Sequence, residues 1–206
     1  MKFPAEPLIK DKKSVLLKVA EELFAIYGLE GTSTRMIAEQ SGINLAMINY
    51  YFGSKDALYA AIFENRLVAI IQEIERVGRL TLAPAEKLET YLRGYIQRIQ
   101  NHQGFYRMES RQLTMLEQPP VVDLVNASRT KAFLLISTII ENGVSTGVFR
   151  KVDVAVFALN ILYLLPTLFT RPDSLFIQLG FTENHDSAVD TVENRVINFL
   201  MSSLII

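Results

Sequence analysis

Residues 32–52 read TSTRMIAEQSGINLAMINYYF, and the reading of this stretch decides the fold. Ala38 is small enough for a second helix to cross the first closely. Gly42 sits where a tight turn needs a left-handed backbone, which costs glycine nothing. Ile48 is the apolar plug that the second helix sends into a shared core, with Ile37 and Ile43 beside it. Asn44 is placed to cap that second helix. The pattern predicts a helix-turn-helix of the kind that enters the major groove of DNA; the plain alternative is an ordinary helical hairpin.

The next residues favour the first reading. Phe52-Gly53-Ser54-Lys55-Asp56-Ala57-Leu58 ends one helix on a glycine and starts the next on a serine cap. A lysine then stands in the first turn, beside where DNA would lie.

Residues from about 12 to 63 resemble the DNA-binding domain of TetR-family transcriptional repressors. The resemblance rests on Phe24, Gly28, Gly31-Thr32-Ser33, Ile37-Ala38, Ser41-Gly42-Ile43, Ile48, Tyr51-Phe52, Ser54-Lys55 and Leu58. It covers roughly a quarter of the chain, and residue type and spacing agree together. The remainder is similar to the family only in length and helical character.

The bulk numbers bound the rest. Half of the 206 residues are hydrophobic and 21% are charged, more apolar surface than a monomer of this size needs to bury. An apolar subunit interface or an internal apolar cavity is the expected use of the surplus. Cysteine is absent, which excludes disulfides and thiolate metal sites. The two histidines, His102 and His185, stand far apart, so neither a metal site nor any cofactor is expected. Residues 1–8 hold two prolines and no apolar core, so no signal peptide is read there. The most apolar run, Val154 to Phe169, falls short of the ~20 residues that span hydrocarbon and contains Pro166. A buried helix and a cytoplasmic protein are expected, with no membrane partner.

Charge argues against a simple electrostatic footprint. Residues 1–60 hold seven Lys and Arg and seven Asp and Glu, hence no net charge. DNA binding must rest on local placement: Lys10, Lys12 and Lys13 before or at the first helix, Arg35 opening the second, Lys55 opening the fourth. A pair such as Lys12-Lys13 is otherwise an ordinary solvated helix end.

The fold class is all-α: an N-terminal three-helix helix-turn-helix head and a larger helical ligand-binding and dimerisation domain, nine helices in all. Residues 1–11 read as a mobile arm and 12–58 as the head, with 59–206 as the second domain. The first helix spans about 12–27, with Gly28 ending it. The fourth starts at Ser54 and continues to about 79, a rod of ~37 Å at 1.5 Å per residue that links the two domains. Pro84 opens the fifth, to about 101; Gly104 breaks it; the sixth covers about 105–116 and Pro119-Pro120 closes it. The seventh covers about 121–146 and the eighth about 153–169. Residues 172–185 read as irregular before the ninth, which runs to about 203.

In a head of this kind the third helix meets base edges with its exposed N-terminal face. Periodicity aims Leu45, Ala46 and Asn49 outward. Ala46 and Met47 offer apolar contact to a thymine methyl, and Asn49 can pair with adenine, as can Asn44 if it is not spent on capping. The resemblance places phosphate contacts on Ser33, Thr34, Arg35, Tyr51 and Lys55, and makes Tyr50 and Tyr51 the family's aromatic pair; Tyr51 alternatively packs in the core. Many relatives carry tyrosine at the position of Asn49 and histidine at that of Tyr51, which implies a different operator.

The resemblance also implies a homodimer on a palindromic operator, with the eighth and ninth helices as the interface. Val156, Asn160, Tyr163, Leu164, Thr167, Val192, Arg195, Val196 and Phe199 are the candidates, some of them ordinary core. Helices four to eight would enclose a pocket for a small apolar or aromatic effector. Phe63, Leu67, Tyr95, Phe105, Met108, Met115, Phe133 and Tyr163 line it or pack as core, with His102, Arg107, Glu109 or Arg111 as polar anchors. Two alternatives stand beside this reading: control by a partner protein, and an all-α enzyme with an apolar cleft. For the enzyme no nucleophile–base pair, carboxylate dyad or phosphate loop is found in the sequence.

Overall fold

Apolar residues recur at helical spacing along nearly the whole chain, and a computed structural model forms helices wherever they do. It describes residues 9–115, 119–170, 177–178, 180 and 185–206. Nine named helices lie among them: α1 (Ile9–Gly31), α2 (Thr34–Ser41), α3 (Leu45–Phe52), α4 (Lys55–Arg79), α5 (Pro84–Asn101), α6 (Gln103–Met115), α7 (Pro119–Ser145), α8 (Val154–Thr170) and α9 (His185–Ser202). No strand occurs among the described residues, only a single antiparallel bridge between Phe149 and Ile205. The expected arm falls largely outside the described residues, as does most of the segment expected to be irregular.

Several boundaries differ from expectation for physical reasons. Helix α1 starts at Ile9, earlier than expected; its regular course ends at Gly28, as expected, where φ 75° and ψ 178° are not helical, and one further turn reaches Gly31. His102, at φ −138°, breaks the chain before α6, while Gly104 lies inside that helix. Pro119 and Pro120 begin α7 rather than close α6, because proline in a first turn forfeits only an amide that has no partner there.

The chain forms two compact units. The first holds residues up to Val68 and also Arg107–Val125; the second holds Ala69–Tyr106 and Asn126–Ile206. Most of α6 therefore belongs with the head, which the expected division at residue 58 did not include.

In the first unit Leu16, Ala20 and Phe24 of α1, Ile37 of α2, Ile48 of α3 and Leu58 of α4 are fully buried together with Phe63. Phe24 meets Tyr59 edge-on at 5.1 Å, and Tyr59 packs on Phe63 at 5.2 Å. Polar ties fix the helices around this core. Arg66 grips both carboxylate oxygens of Glu21, at 2.9 and 3.1 Å. Buried Gln112 donates to the Tyr59 hydroxyl at 3.3 Å, and Arg111 Nη1 donates to the Phe24 carbonyl at 3.1 Å.

In the second unit α5 packs against α8 and α9. Its inner face is Leu88, Tyr91, Leu92, Tyr95, Ile96 and Ile99, and Arg93 reaches Glu193 and Asn194 of α9. Pro166 lies inside α8 and has no amide to donate to the carbonyl of Leu162; the Tyr95 hydroxyl donates to that carbonyl instead, at 3.4 Å. A side chain on Gly143 of α7 would collide with the ring of Phe149, so the turn after α7 closes only on glycine. Glu73 accepts two hydrogen bonds from Arg76, each 2.7 Å. Those bonds hold its carboxyl below the usual glutamate value, against the opposing effect of burial and with help from the charges of Arg76 and Arg98.

Candidate nucleic-acid interface

Helix α2 starts because Ser33, in extended backbone, accepts a hydrogen bond from the Met36 amide at 3.1 Å. It stops at Gly42, whose φ of 66° and ψ of 16° place it in the left-handed region that the sequence demanded. Ser41 completes the turn, its hydroxyl accepting from the Ile43 amide at 3.2 Å and donating to the Ala38 carbonyl at 3.3 Å. Asn44 then caps α3, its side-chain oxygen taking the Ala46 amide at 3.0 Å. Asn44 is thus engaged in capping, the first of the two roles the sequence left open.

With Ile48 fully buried, the opposite face of α3 is turned to solvent. Leu45, Ala46, Asn49 and Tyr50 are exposed there, Tyr50 by 76%. Tyr51 is half-buried, its ring edge-on to both Tyr50 at 5.2 Å and Phe52 at 6.2 Å. Lys13 Nζ lies 5.6 Å from the centre of the Phe52 ring, which brings a lysine of α1 to the end of α3. Ser33 and Arg35 are exposed and Thr34 half-buried at the start of α2.

The two cations singled out for phosphate differ in their surroundings. Arg35 is 86% exposed and pairs loosely with Glu39 one turn on, at 3.2 Å, the kind of surface pair that contributes little. Lys55 is half-buried and donates to the Leu29 carbonyl at 2.7 Å. Ser54, before it, caps α4 by accepting from the Ala57 amide at 3.0 Å.

A family model described as bacterial regulatory proteins, tetR family, matches residues 16–62. A second, described as the tetracyclin repressor-like C-terminal domain, matches residues 81–169. The chain belongs to the TetR family. The HTH-type transcriptional repressor KstR2 of Mycolicibacterium smegmatis is 25% identical over 150 residues, 71% of each protein. The transcriptional dual regulator CecR of Shigella flexneri is 51% identical over 49 residues, 24% of this chain and 22% of the relative. The solved structure of the ketosteroid transcriptional regulator KstR2 of Mycobacterium tuberculosis matches over 100% of both chains with a TM-score of 0.81 at 17% identity, a likeness of fold alone. This TetR-family chain is a DNA-binding transcriptional regulator and not an enzyme.

The residues expected to line an effector pocket fall in both units. Phe63, Leu67 and Met108 are buried in the first, and Tyr95 and Phe105 in the second. Phe133 is half-buried, and the Met115 side chain lies outside the described residues. Tyr163, named for both the pocket and the interface, is 54% exposed, with the Arg129 guanidinium 4.7 Å from its ring centre, which suits the second role better than the first. Of the interface candidates, Val156, Asn160, Thr167, Arg195 and Phe199 are exposed, Leu164 and Val196 half-buried. Val192 is buried within the described chain, the ordinary-core alternative that was left open for these candidates. Leu159, exposed between Val156 and Tyr163, was not singled out, since it follows the same apolar periodicity as the core. Among the described residues no helix is long and apolar enough to cross a membrane.

Sequence reasoning also missed Thr32, whose buried hydroxyl donates to the Gly28 carbonyl at 2.8 Å. The Arg66–Glu21 pair was missed as well, because 45 residues separate its members.

Proposed function

We propose that this regulator is a homodimeric, cytoplasmic repressor that holds a palindromic operator and is released by a small, largely apolar effector. In this reading residues 12–58 are the DNA-binding domain and residues 59–206 bind the effector and dimerise. The observation that carries it is the exposed face of α3, with Leu45, Ala46, Asn49 and Tyr50 turned away from the core and Ser33 and Arg35 beside them. Asn49 reads adenine, Ala46 and the half-buried Met47 meet thymine methyls with Leu45 exposed beside them, and Ser33, Thr34, Arg35 and Tyr51 hold phosphates, which position the head without choosing sequence. Lys55 reaches phosphate only with the part of its ammonium not given to Leu29.

One head reads too few base pairs for a genomic site, and two-fold pairing supplies the second half-site about 34–36 Å away. The exposed apolar residues Val156, Leu159 and Tyr163, which recur along α8 at helical spacing, support that pairing, since lone surface hydrophobes are ordinary but an apolar stripe marks a contact surface; Phe199 of α9 is a further exposed apolar side chain. For the effector, the support is the aromatic interior of the second unit, where Tyr91, Tyr95, Phe105 and Tyr106 are buried. The effector acts by population shift, binding more tightly to the state that does not fit DNA.

Sedimentation of the chain alone and with a selected DNA fragment tests the assembly. A dimer that becomes monomeric on Phe199→Glu with Val156→Glu, and loses DNA with it, is the expected result. A chain that is monomeric at micromolar concentration and still binds one DNA tightly would overturn it.

A further inference from the structure

The second unit contains an arginine whose bonding is incomplete. Arg98 of α5 has a side chain only 19% exposed, and its Nε is buried with no hydrogen-bond partner. Gln100 Nε2 and Ser137 Oγ of the same unit are likewise buried and without a partner. A guanidinium can only donate, so nothing but an acceptor satisfies it. The carboxylate facing it is Glu73, whose Oε1 lies 3.9 Å from Arg98 Nη1, beyond hydrogen-bond length. Both oxygens of Glu73 are already taken by Arg76 at 2.7 Å. One carboxylate thus stands between two guanidinia, hydrogen-bonded to Arg76 and only ion-paired with Arg98.

The cation also borders an aromatic surface. The Arg98 guanidinium carbon lies 5.6 Å from the centre of the Tyr95 ring. Tyr95 packs in turn on Tyr91 at 5.8 Å and on Tyr106 at 6.0 Å, and Tyr106 on Phe105 at 5.4 Å. A largely buried positive donor beside four rings packed edge-on and tilted against one another matches a molecule with an acceptor-rich anionic head and a greasy body.

We propose that the effector is an amphipathic carboxylic acid whose carboxylate seats on Arg98 and whose body lies along the Tyr91–Tyr95–Tyr106 rings. The inference rests on the effector-released reading above and names the chemistry of the effector. A carboxylate accepts from the Arg98 guanidinium and supplies the hydrogen-bonded negative charge that Glu73 does not. An alcohol of the same body satisfies the donor without answering the charge.

The test is calorimetric titration of the full chain with matched pairs: dodecanoate against dodecanol, and 2-naphthoate against 2-naphthol. The expected result is that at least one acid binds at least tenfold tighter than its alcohol. Arg98→Met should then reduce the acid to the affinity of the alcohol, with a cooperative melt showing that the variant is folded. If that variant does not fold, Arg98→Lys replaces it, with a loss of affinity expected for the acid and none for the alcohol. Alcohols that bind as well as acids, or an acid unaffected by both variants, would overturn the carboxylate assignment and leave an effector-released repressor standing. No binding by any of the four would likewise overturn the carboxylate assignment, and the effector-released reading would stand or fall on the DNA and assembly test above.

Discussion

Lys55 donates from Nζ to the carbonyl oxygen of Leu29 across 2.7 Å, tying the first residue of α4 to the segment just past the bend in α1. The lysine that the family resemblance assigns to phosphate is therefore also a strut of the head. Arg35, 86% exposed and paired with Glu39 on the surface, has no such duty. Lys55→Met should destabilise the chain by about 1.5–3 kcal/mol, the usual range for a hydrogen bond to a charged group. Arg35→Ala should change stability by less than about 0.5 kcal/mol and lower the salt slope of DNA binding by about 0.9 per phosphate lost. Urea denaturation and a salt titration of DNA affinity separate the two; equal stability losses would contradict the division.

The bend at Gly28 makes a second expectation. Its φ of 75° with ψ of 178° belongs to a region almost closed to other residues, and a Cβ there would lie 2.8 Å from Arg111 Nη1. Gly28→Ala should cost about 2–3 kcal/mol. Arg111→Met removes both the obstructing group and the bond to the Phe24 carbonyl. The double variant should therefore lose less than the sum of the singles. Strict additivity in urea midpoints would show that the two residues do not share the corner.

How much of this was legible depends on where the interactions run. Ser33, Gly42, Asn44 and Ser54 act within four residues of themselves, through caps and a left-handed turn, so the sequence stated the helix-turn-helix nearly to the residue. The stop at Pro119 was misread because proline ends one helix and opens the next with equal ease, and only the packing of α7 decides. The Arg111–Phe24 bond joins residues 87 apart and left no local trace. Buried Val192 and exposed Phe199 carry the same apolar character on one helix, so only the neighbours of α9 distinguish core from face.

Tyr95 and Pro166 form a compensating pair. The proline deprives the Leu162 carbonyl of its helical partner and the tyrosine hydroxyl replaces it. Tyr95→Phe should cost about 1 kcal/mol, and much less in a Pro166→Ala background, where an amide returns to the carbonyl. Thermal melts of the four proteins of the cycle measure this; an unchanged cost in the second background would show that the hydroxyl serves another partner.

Glu73 makes stability depend on acid. Its carboxyl titrates below the ordinary value of 4.5 chiefly because Arg76 hydrogen-bonds its charged form. A depressed carboxylate stabilises the fold above its unfolded value, and that contribution is lost as pH falls through the folded value. Glu73→Gln should therefore be less stable than the parent near neutral pH, and the gap should narrow below the ordinary carboxylate value of 4.5. Urea midpoints followed from neutral pH into acid check the sign; a gap that widens in acid would reverse it.

On the proposed function, α3 reads a two-fold symmetric operator. The most direct test is to sequence the genomic fragments retained by purified protein at about 150 mM salt, where non-specific binding is weak, for the parent and for Asn49→Ala. The expected outcome is a shared palindrome with half-sites about 10 base pairs apart, and a relaxed preference at one base in each half for the variant. Enrichment of a motif without two-fold symmetry, or a motif unchanged by Asn49→Ala, would contradict it.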